Sequence, residues 1–300
     1  MKDLACASIA VALVFALAGP AGAQKASQDP QDKVRLQAKL VNVPVTVIDK
    51  EGRYITGFSK EDFEVYDDGV RQQIEHFSDQ DAPISLGIVY DVSGSMNDLT
   101  ARSFAALRRL FQTSHEDDEF FVIAFNDRAK LLQDFTTSPS EIMGRVTLVK
   151  ARGSTALYDA VYLAVEKVRQ GRHPRKAILV ISDGEDNNSR YSGRELNDRI
   201  KEADVLIYAI GISKLFAGAG TLKRLAGLTG GRAFFPLDDN EVGDVYTRMA
   251  LALRHQYVLG FYPSDTSGPA RWHKLRVKVR APRTLGRLSV IHKKGYQSFN

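Results

Sequence analysis

The sequence predicts an α/β protein. Its core is a doubly wound, mostly parallel sheet of six strands with helices on both faces, joined by a small flanking β module drawn from both chain ends. Three observations carry this. Between residues 84 and 254, apolar runs of strand length alternate with stripes of helical spacing. On either side of that region the pattern is β with turn signals and no long helical stripe. A hydrophobic content of 44% over 300 residues is enough for a sizeable core.

The first residues predict export rather than structure. Lys2 precedes an apolar run from Ile9 to Ala18, and Ala21-Gly22-Ala23 is a small-x-small cleavage signal. Residues 1–23 are therefore expected to be a signal peptide, cleaved after Ala23, with 24–33 a flexible leader. The apolar run is shorter than the ~20 residues a spanning helix needs. Cys6 is the single cysteine and lies in the segment to be removed, so the mature chain has no thiol for a disulfide or a thiolate metal site. The expected location is secreted or periplasmic, in a bacterial envelope.

Residues 34–78 are expected to form the N-terminal β module. Val41, Val43, Val45 and Val47 alternate, and Pro44 favours an edge position. Ser59 to Asp62 forms a capping start for one short turn. Phe63–Tyr66 and Val70–Phe77 flank Asp67-Asp68-Gly69, a strong hairpin signal. Residues 79–83 then read as a linker to the central domain, 84–254.

Within that domain the expected strands are Ile84–Tyr90, Phe120–Phe125, Lys130–Phe135, Ala177–Ile181, Val205–Ile210 and Ala233–Leu237. Asn126-Asp127 is a tight connection, so the second and third should be antiparallel. Phe104, Leu107, Leu110 and Phe111 mark a helix for which Asp98 and Thr100 are candidate caps. Leu157, Ala160, Val161, Ala164, Val165 and Val168 form a complete helical stripe. Ser192 and Glu195 make a capping box ahead of Leu196 and Ile200. Val242, Val245, Tyr246, Met249 and Leu253 form the last helix.

Residues 255–300 return to β: Gln256–Tyr262, then Leu275, Val277 and Val279 alternating with Lys274, Arg276, Lys278 and Arg280, then Leu288–His292. About six strands thus lie outside the central domain, and one shared sandwich from the two ends would bury them. Charge is uneven. From Thr266 to Asn300 there are nine Lys or Arg and no acid, while the other 32 basic and 36 acidic residues leave the remainder at −4. The basic strand is a solvated face or a surface for an anionic envelope polymer.

Chemistry concentrates where the first central strand ends. Asp91-Val92-Ser93-Gly94-Ser95 presents one charged and two neutral oxygens on a strand-to-helix loop, with Gly94 expected to permit a sharp turn. In open α/β sheets this is the end that binds ligands. Oxygen donors suit a hard cation such as Mg²⁺. Gly153-Ser154-Thr155 and Ser182-Asp183-Gly184 fall on two further loops at the same end. The set resembles the metal-ion-dependent adhesion site (MIDAS) of von Willebrand factor type A domains. The resemblance covers residues 84–254 and places the five coordinating positions on Asp91, Ser93, Ser95, Thr155 and Asp183. It implies Mg²⁺ or Mn²⁺, with the hydroxyls at the metal and the aspartates acting through water. The flanks, with Asp62-Phe63, Asp68-Gly69, Gln256-Tyr257 and Gly295-Tyr296, resemble a bacterial VWFA-related family described from Acidobacteria.

Other chemistries fit less well. His115-Glu116 is followed by Glu119 where a zinc-protease helix needs His, and neither a nucleophile elbow nor a phosphate-binding loop is present. An aspartyl-phosphate enzyme would want a second Asp where Ser93 stands. The sequence therefore predicts no enzyme. It predicts a metal-dependent binding module that takes an Asp or Glu from a protein partner. The alternatives are an envelope assembly factor acting on a co-exported partner, or a Mg²⁺-dependent hydrolase. Glu185, Asp186, Asn187, Asn188 and Arg190 are either partner contacts on the rim or ordinary loop polars.

Overall fold

A computed structural model describes residues 40–212, 218–236, 239–264 and 269–298. The expected signal peptide and leader, and residues 34–39, lie outside the described residues.

The first half of the flanking structure contains four strands: β1 Val41–Ile48, β2 Phe63–Asp67, β3 Val70–Gln72 and β4 His76–Ser78. Asp68 and Gly69 both take positive φ, 46° and 88°, which is the two-residue hairpin turn whose twist matches its strands. Asp67 faces Val70 across it. Before β2 the Asp62 carboxylate accepts a hydrogen bond from the Ser59 N–H, closing the expected short turn.

The central sheet follows: β5 Ile84–Asp91, β6 Glu119–Phe125, β7 Ala129–Thr136, β8 Arg175–Ser182, β9 Leu206–Gly211 and β10 Ala233–Phe234. Its order is β10-β9-β8-β5-β6-β7. All neighbours are parallel except β6 and β7. Six helices cover it: α1 Thr100–Gln112, α2 Pro139–Thr147, α3 Leu157–Val168, α4 Gly193–Glu202, α5 Ala219–Thr229 and α6 Asp239–Arg254. Strand residues alternate between the two faces. Leu86, Ile88 and Tyr90 pack with α1, α2 and α6, while Val89 packs with α3, α4 and α5. The six-residue stripe of α3 is wholly buried, and Ser192 caps α4 by accepting from the Glu195 N–H.

The chain then supplies β11 Tyr257–Phe261, β12 Trp272–Val279, β13 Ser289–His292 and β14 Gly295–Gln297. Two four-stranded sheets result, β13-β1-β11-β4 and β14-β12-β2-β3, each mixing strands from both sides of the central domain. Their facing residues, among them Val43, Val45, Val65, Leu259, Phe261 and Val277, form one hydrophobic cluster.

Several local expectations are corrected. Among the described residues eight strands flank the central domain rather than about six, because Gly295–Gln297 forms β14 and Val70–Phe77 is not one strand. That run switches sheets between Gln72 and His76, with Ile74 buried at the corner and the Glu75 N–H bonded to the Gly260 carbonyl. β1 is interior, not an edge; it tolerates Pro44 because β13 pairs only with Val45–Ile48, so Pro44 lies beyond that ladder. A 3-10 turn Gly94–Leu99 leads into α1, and Leu99 occupies the cap position expected for Asp98 or Thr100. Leu237, the expected end of β10, lies outside the described residues.

Candidate metal centre

Asp91 is the last residue of β5 and Ser182 the last of the adjacent β8. Both strands are buried on both faces, so their ends are fixed by the sheet ladder. The Ser182 hydroxyl donates to Asp91 Oδ2 at 2.6 Å and accepts from the Gly184 N–H at 2.9 Å. Asp91 Oδ1 accepts from the Ser93 N–H at 2.9 Å. The carboxylate is therefore held on both oxygens before any ligand arrives. The Ser93 and Ser95 hydroxyl oxygens lie 3.1 Å apart at the mouth of the loop.

The third loop is brought in by backbone bonds. Arg152 N–H donates to the Val92 carbonyl and Gly94 N–H to the Gly153 carbonyl, at 2.8 and 3.0 Å. Gly153 has φ +83°, and a side chain there would meet the Asp127 carboxylate, whose Oδ1 accepts the Ser154 N–H at 2.7 Å. Gly94 does not have the positive φ that its role as a sharp turn would need; its N–H is what the site uses. The Thr155 N–H donates to Asn187 Oδ1 at 2.9 Å, and its carbonyl accepts from Asn187 and Asn188 N–H at 3.0 Å. Asp186 Oδ1 accepts the Tyr158 N–H at 3.1 Å, just inside α3. Asp183 Oδ1 accepts the Glu185 N–H at 3.1 Å. Gly184, at φ +86°, sits against the Gly218 carbonyl where no side chain would fit.

All five predicted residues thus stand at the carboxyl end of the sheet, on three loops tied to one another. Asp91, Ser93, Thr155 and Asp183 are 1, 1, 4 and 8% exposed, whereas Ser95 is exposed. Sequence reasoning missed the residues that hold them: Ser182, Asp127 and the pair Asp186 and Asn187. The last two are expected from the sequence to be partner contacts on the rim or ordinary loop polars; in the structure their side chains fix the Thr155 loop and the start of α3. Arg190 is exposed and near Asp159, at 3.8 Å.

Burial raises the Asp91 carboxyl to about 6, against hydrogen bonds from Ser182 and Ser93 that lower it; the nearby Asp183 charge adds to the rise. Neither carboxylate forms a salt bridge among the described residues. Such a pair is costly without a counter-charge. The donor chemistry fits a hard cation: an octahedron of oxygens at 2.0–2.1 Å has edges of about 3 Å, matching the two serine hydroxyls.

A second cluster, Asp67, Asp68 and His273, also brings metal-ligand types within 4.8 Å of one another. Here the donors are already engaged. Tyr296 Oη donates to Asp67 Oδ2 at 2.8 Å, His273 Nδ1 lies 3.1 Å from Asp67 Oδ1, and Asp68 receives Arg271 at 2.6 Å and the Lys274 N–H at 2.9 Å. These bonds hold the Asp68-Gly69 hairpin turn to β12 and β14, so the cluster works as a structural clasp.

The central region resembles known proteins in sequence and in fold. The von Willebrand factor type A domain model matches residues 86–185. No curated protein sequence matches the chain. Among solved structures, a von Willebrand factor type A protein from Catenulispora acidiphila superposes with TM-score 0.50 at 11% identity, over 87% of this chain and 74% of that one. An aerotolerance-related membrane protein from Bacteroides fragilis gives 0.47 at 15% identity, over 56% of this chain and 98% of that one. The PilB minor pilin from Streptococcus sanguinis gives 0.46 at 13%, over 58% of this chain and 62% of that one. The sequence match supports a von Willebrand factor type A domain over residues 86–185, and the Catenulispora superposition shows a shared mixed α/β fold.

Proposed function

We propose that the chain is an exported, non-catalytic interaction module that binds an acidic side chain of a protein partner through a Mg²⁺ or Mn²⁺ ion. Ser93, Ser95 and Thr155 would hold the ion, with Asp91 and Asp183 behind them. When bound, the ion supplies a positive charge that a partner carboxylate can neutralise. This chain's own residues do the rest. Ser182 and the Ser93 N–H orient the Asp91 carboxylate, and Asn187 fixes the Thr155 loop. Neutral hydroxyls at the mouth leave an ion's charge facing outward, which favours an Asp or Glu over a neutral oxygen. The observation that carries the reading is the 3.1 Å pair of serine hydroxyls on the same loop as a buried carboxylate that has no salt bridge among the described residues. The alternating exposed face of β12, with Lys274, Arg276 and Lys278, supports a separate, weaker contact with an anionic envelope polymer.

The test is metal-dependent melting combined with pull-down from an envelope extract. Mg²⁺ at 100 times its dissociation constant should add about 2.7 kcal/mol, or roughly 5–10 °C in melting temperature. Asp183→Ala should abolish both the shift and the pull-down. Partner capture that survives EDTA would refute the mechanism, and turnover of generic phosphate or ester substrates would refute its non-catalytic character.

A further inference from the structure

The mouth of the candidate metal centre is uneven in charge. Sheet order sets its two sides: β8 lies beside β5 on one, β6 and then the edge strand β7 on the other. On the β8 side the following loop carries Asp183, Glu185 and Asp186, and its Arg190 already lies near Asp159. On the β6–β7 side stand Arg128, Lys130, Lys150 and Arg152, all exposed. Asp127 is the one acid within residues 126–130 and 148–156.

These four cations come from two segments that are bonded together. β7 begins at the carboxyl end of the sheet, because Ala129 faces Phe125, the last residue of β6. Along β7, Leu131 packs on the α3 side of the sheet and Leu132 on the α2 side. Lys130 therefore projects on the α2 side by strand alternation. Val149 and Ala151 pack on that same side, which leaves their neighbours Lys150 and Arg152 to solvent. The Ala156 N–H donates to the Asn126 carbonyl at 2.8 Å and the Ser154 N–H to Asp127 Oδ1 at 2.7 Å, so the two segments form one rim. The Arg152 N–H is bonded to the Val92 carbonyl, next to Ser93.

Among the described residues, none of the four cations has an ion pair or a side-chain hydrogen bond. They repel one another and hold no part of the fold in place through their charges. Their position suits a ligand instead. Asp91 pairs with Phe125 and Phe125 with Ala129, so β7 starts two strand spacings, about 10 Å, from Asp91. An extended chain covers that distance in about three residues.

We propose that this half of the rim recognises acids next to the one that reaches the metal. The partner segment would be extended and multiply acidic, with its additional Asp or Glu residues over Arg128, Lys130, Lys150 and Arg152 and directed away from Glu185. The inference rests on the metal-dependent binding proposed above and adds the character and direction of the partner. Exposed charges of this kind act on encounter and orientation, and they are sensitive to salt.

The test uses the full chain in Mg²⁺ and two fluorescent glycine-based peptides, read by anisotropy. One has a central Asp with two Glu on each side at alternate positions; in the other each Glu is Gln. The Glu peptide should bind about tenfold tighter at low salt, the product of two or three exposed ion pairs at about two- to fivefold each. That advantage should vanish near 1 M salt, where the screening length is about 3 Å. Lys130→Gln combined with Arg152→Gln should remove most of it and leave the Gln peptide's affinity and the melting temperature unchanged. Lys274→Gln combined with Arg276→Gln, on β12, should leave the advantage intact. EDTA should release both peptides. Equal affinity of the two peptides in Mg²⁺, an advantage that survives Lys130→Gln with Arg152→Gln, or an equal loss in the β12 variant would overturn the rim proposal and leave the metal centre standing. A Glu peptide that stays bound in EDTA would overturn the metal centre and not the rim, and binding of neither peptide would overturn both.

Discussion

The central domain and the two-sheet sandwich are built on opposite plans. In the central sheet β5 sits between β6 and β8, and the parallel pairs β5–β6, β8–β9 and β9–β10 are each bridged by a helical crossover. The sandwich instead pairs β1 with β11 and β2 with β12, so its partners lie about 200 residues apart. Closing such a distance costs entropy that only the finished sandwich repays. The difference teaches where function can be placed. The central sheet can hold a polar, charge-straining cluster at its carboxyl end because its strands are secured independently of that cluster. The sandwich has no comparable reserve, and its buried polar cluster, Asp67 with His273 and Tyr296, is fully paired.

The most severe way to break this comparison is to remove residues 265–300, which takes away β12, β13 and β14. Residues 41–78 should then become protease-sensitive while the central domain stays folded and keeps its metal-dependent melting. Continued protection of residues 41–78 would show that the first four strands are stable without their distant partners.

Next in size is the pH dependence of the Mg²⁺ effect. Asp91 is raised from 3.8 to about 6 in the metal-free fold. Its contribution to metal-free stability is therefore fully present below 3.8 and is lost as pH rises through about 6. Metal binding needs the carboxylate, so the Mg²⁺ stabilisation of about 2.7 kcal/mol should be complete near pH 8 and fade below pH 6. Melting scans with and without Mg²⁺ across that range check it; a shift that is constant with pH would remove Asp91 from the site.

Asp67→Ala sharpens the contrast within the sandwich. It leaves the Tyr296 hydroxyl and the His273 ring without their carboxylate, at a cost of about 1–3 kcal/mol. The loss should appear in the protection of the small sheets by hydrogen exchange and leave the Mg²⁺ shift intact. Equal loss of protection in β5 and β8 would mean the two regions unfold as one unit.

The smallest stability effect is expected from Asn187→Ala, about 0.5–1.5 kcal/mol for one hydrogen bond. Its effect on metal affinity should be larger, about 10–100-fold, the usual penalty when a group that orients a ligand is lost. Isothermal titration with Mn²⁺ separates the two. An unchanged affinity would mean that the Thr155 loop keeps its place without Asn187.

What could be read from the chain was what short-range chemistry dictates. The α3 stripe, the Ser192–Glu195 box and the Asp68-Gly69 turn each declare themselves within a few residues, and each is present. Asp91 and Asp183 could be placed because they stand where an apolar run stops abruptly at a polar group, and Thr155 because its loop runs straight into the α3 stripe. Their supports were hidden because they act across space. Asn187 reaches a loop 32 residues earlier and Ser182 a carboxylate 91 residues earlier, and nothing local in Asp186-Asn187 distinguishes a tether from a solvated rim. Pro44 misled for a similar reason. Its effect on a strand depends on which flank is paired at that residue, and the short β13 partner is almost 250 positions away. Val70–Phe77 reads as one extended run because turning a corner between sheets leaves little mark on sequence alternation.

The placement of the central domain between β4 and β11 has a mechanical consequence. Those two strands are hydrogen-bonded neighbours, Ser78 opposite Val258. The chain therefore leaves the sandwich and returns to it at almost the same point. Tension applied through the segments before Val41 and after Gln297 would be borne by the ladders of the small sheets. The central domain would hang outside the line of force, like a weight on a closed loop of cord. Its carboxyl-end loops could then grip a partner while the rest of the chain is under load, without that load reaching the strands that position Asp91 and Asp183.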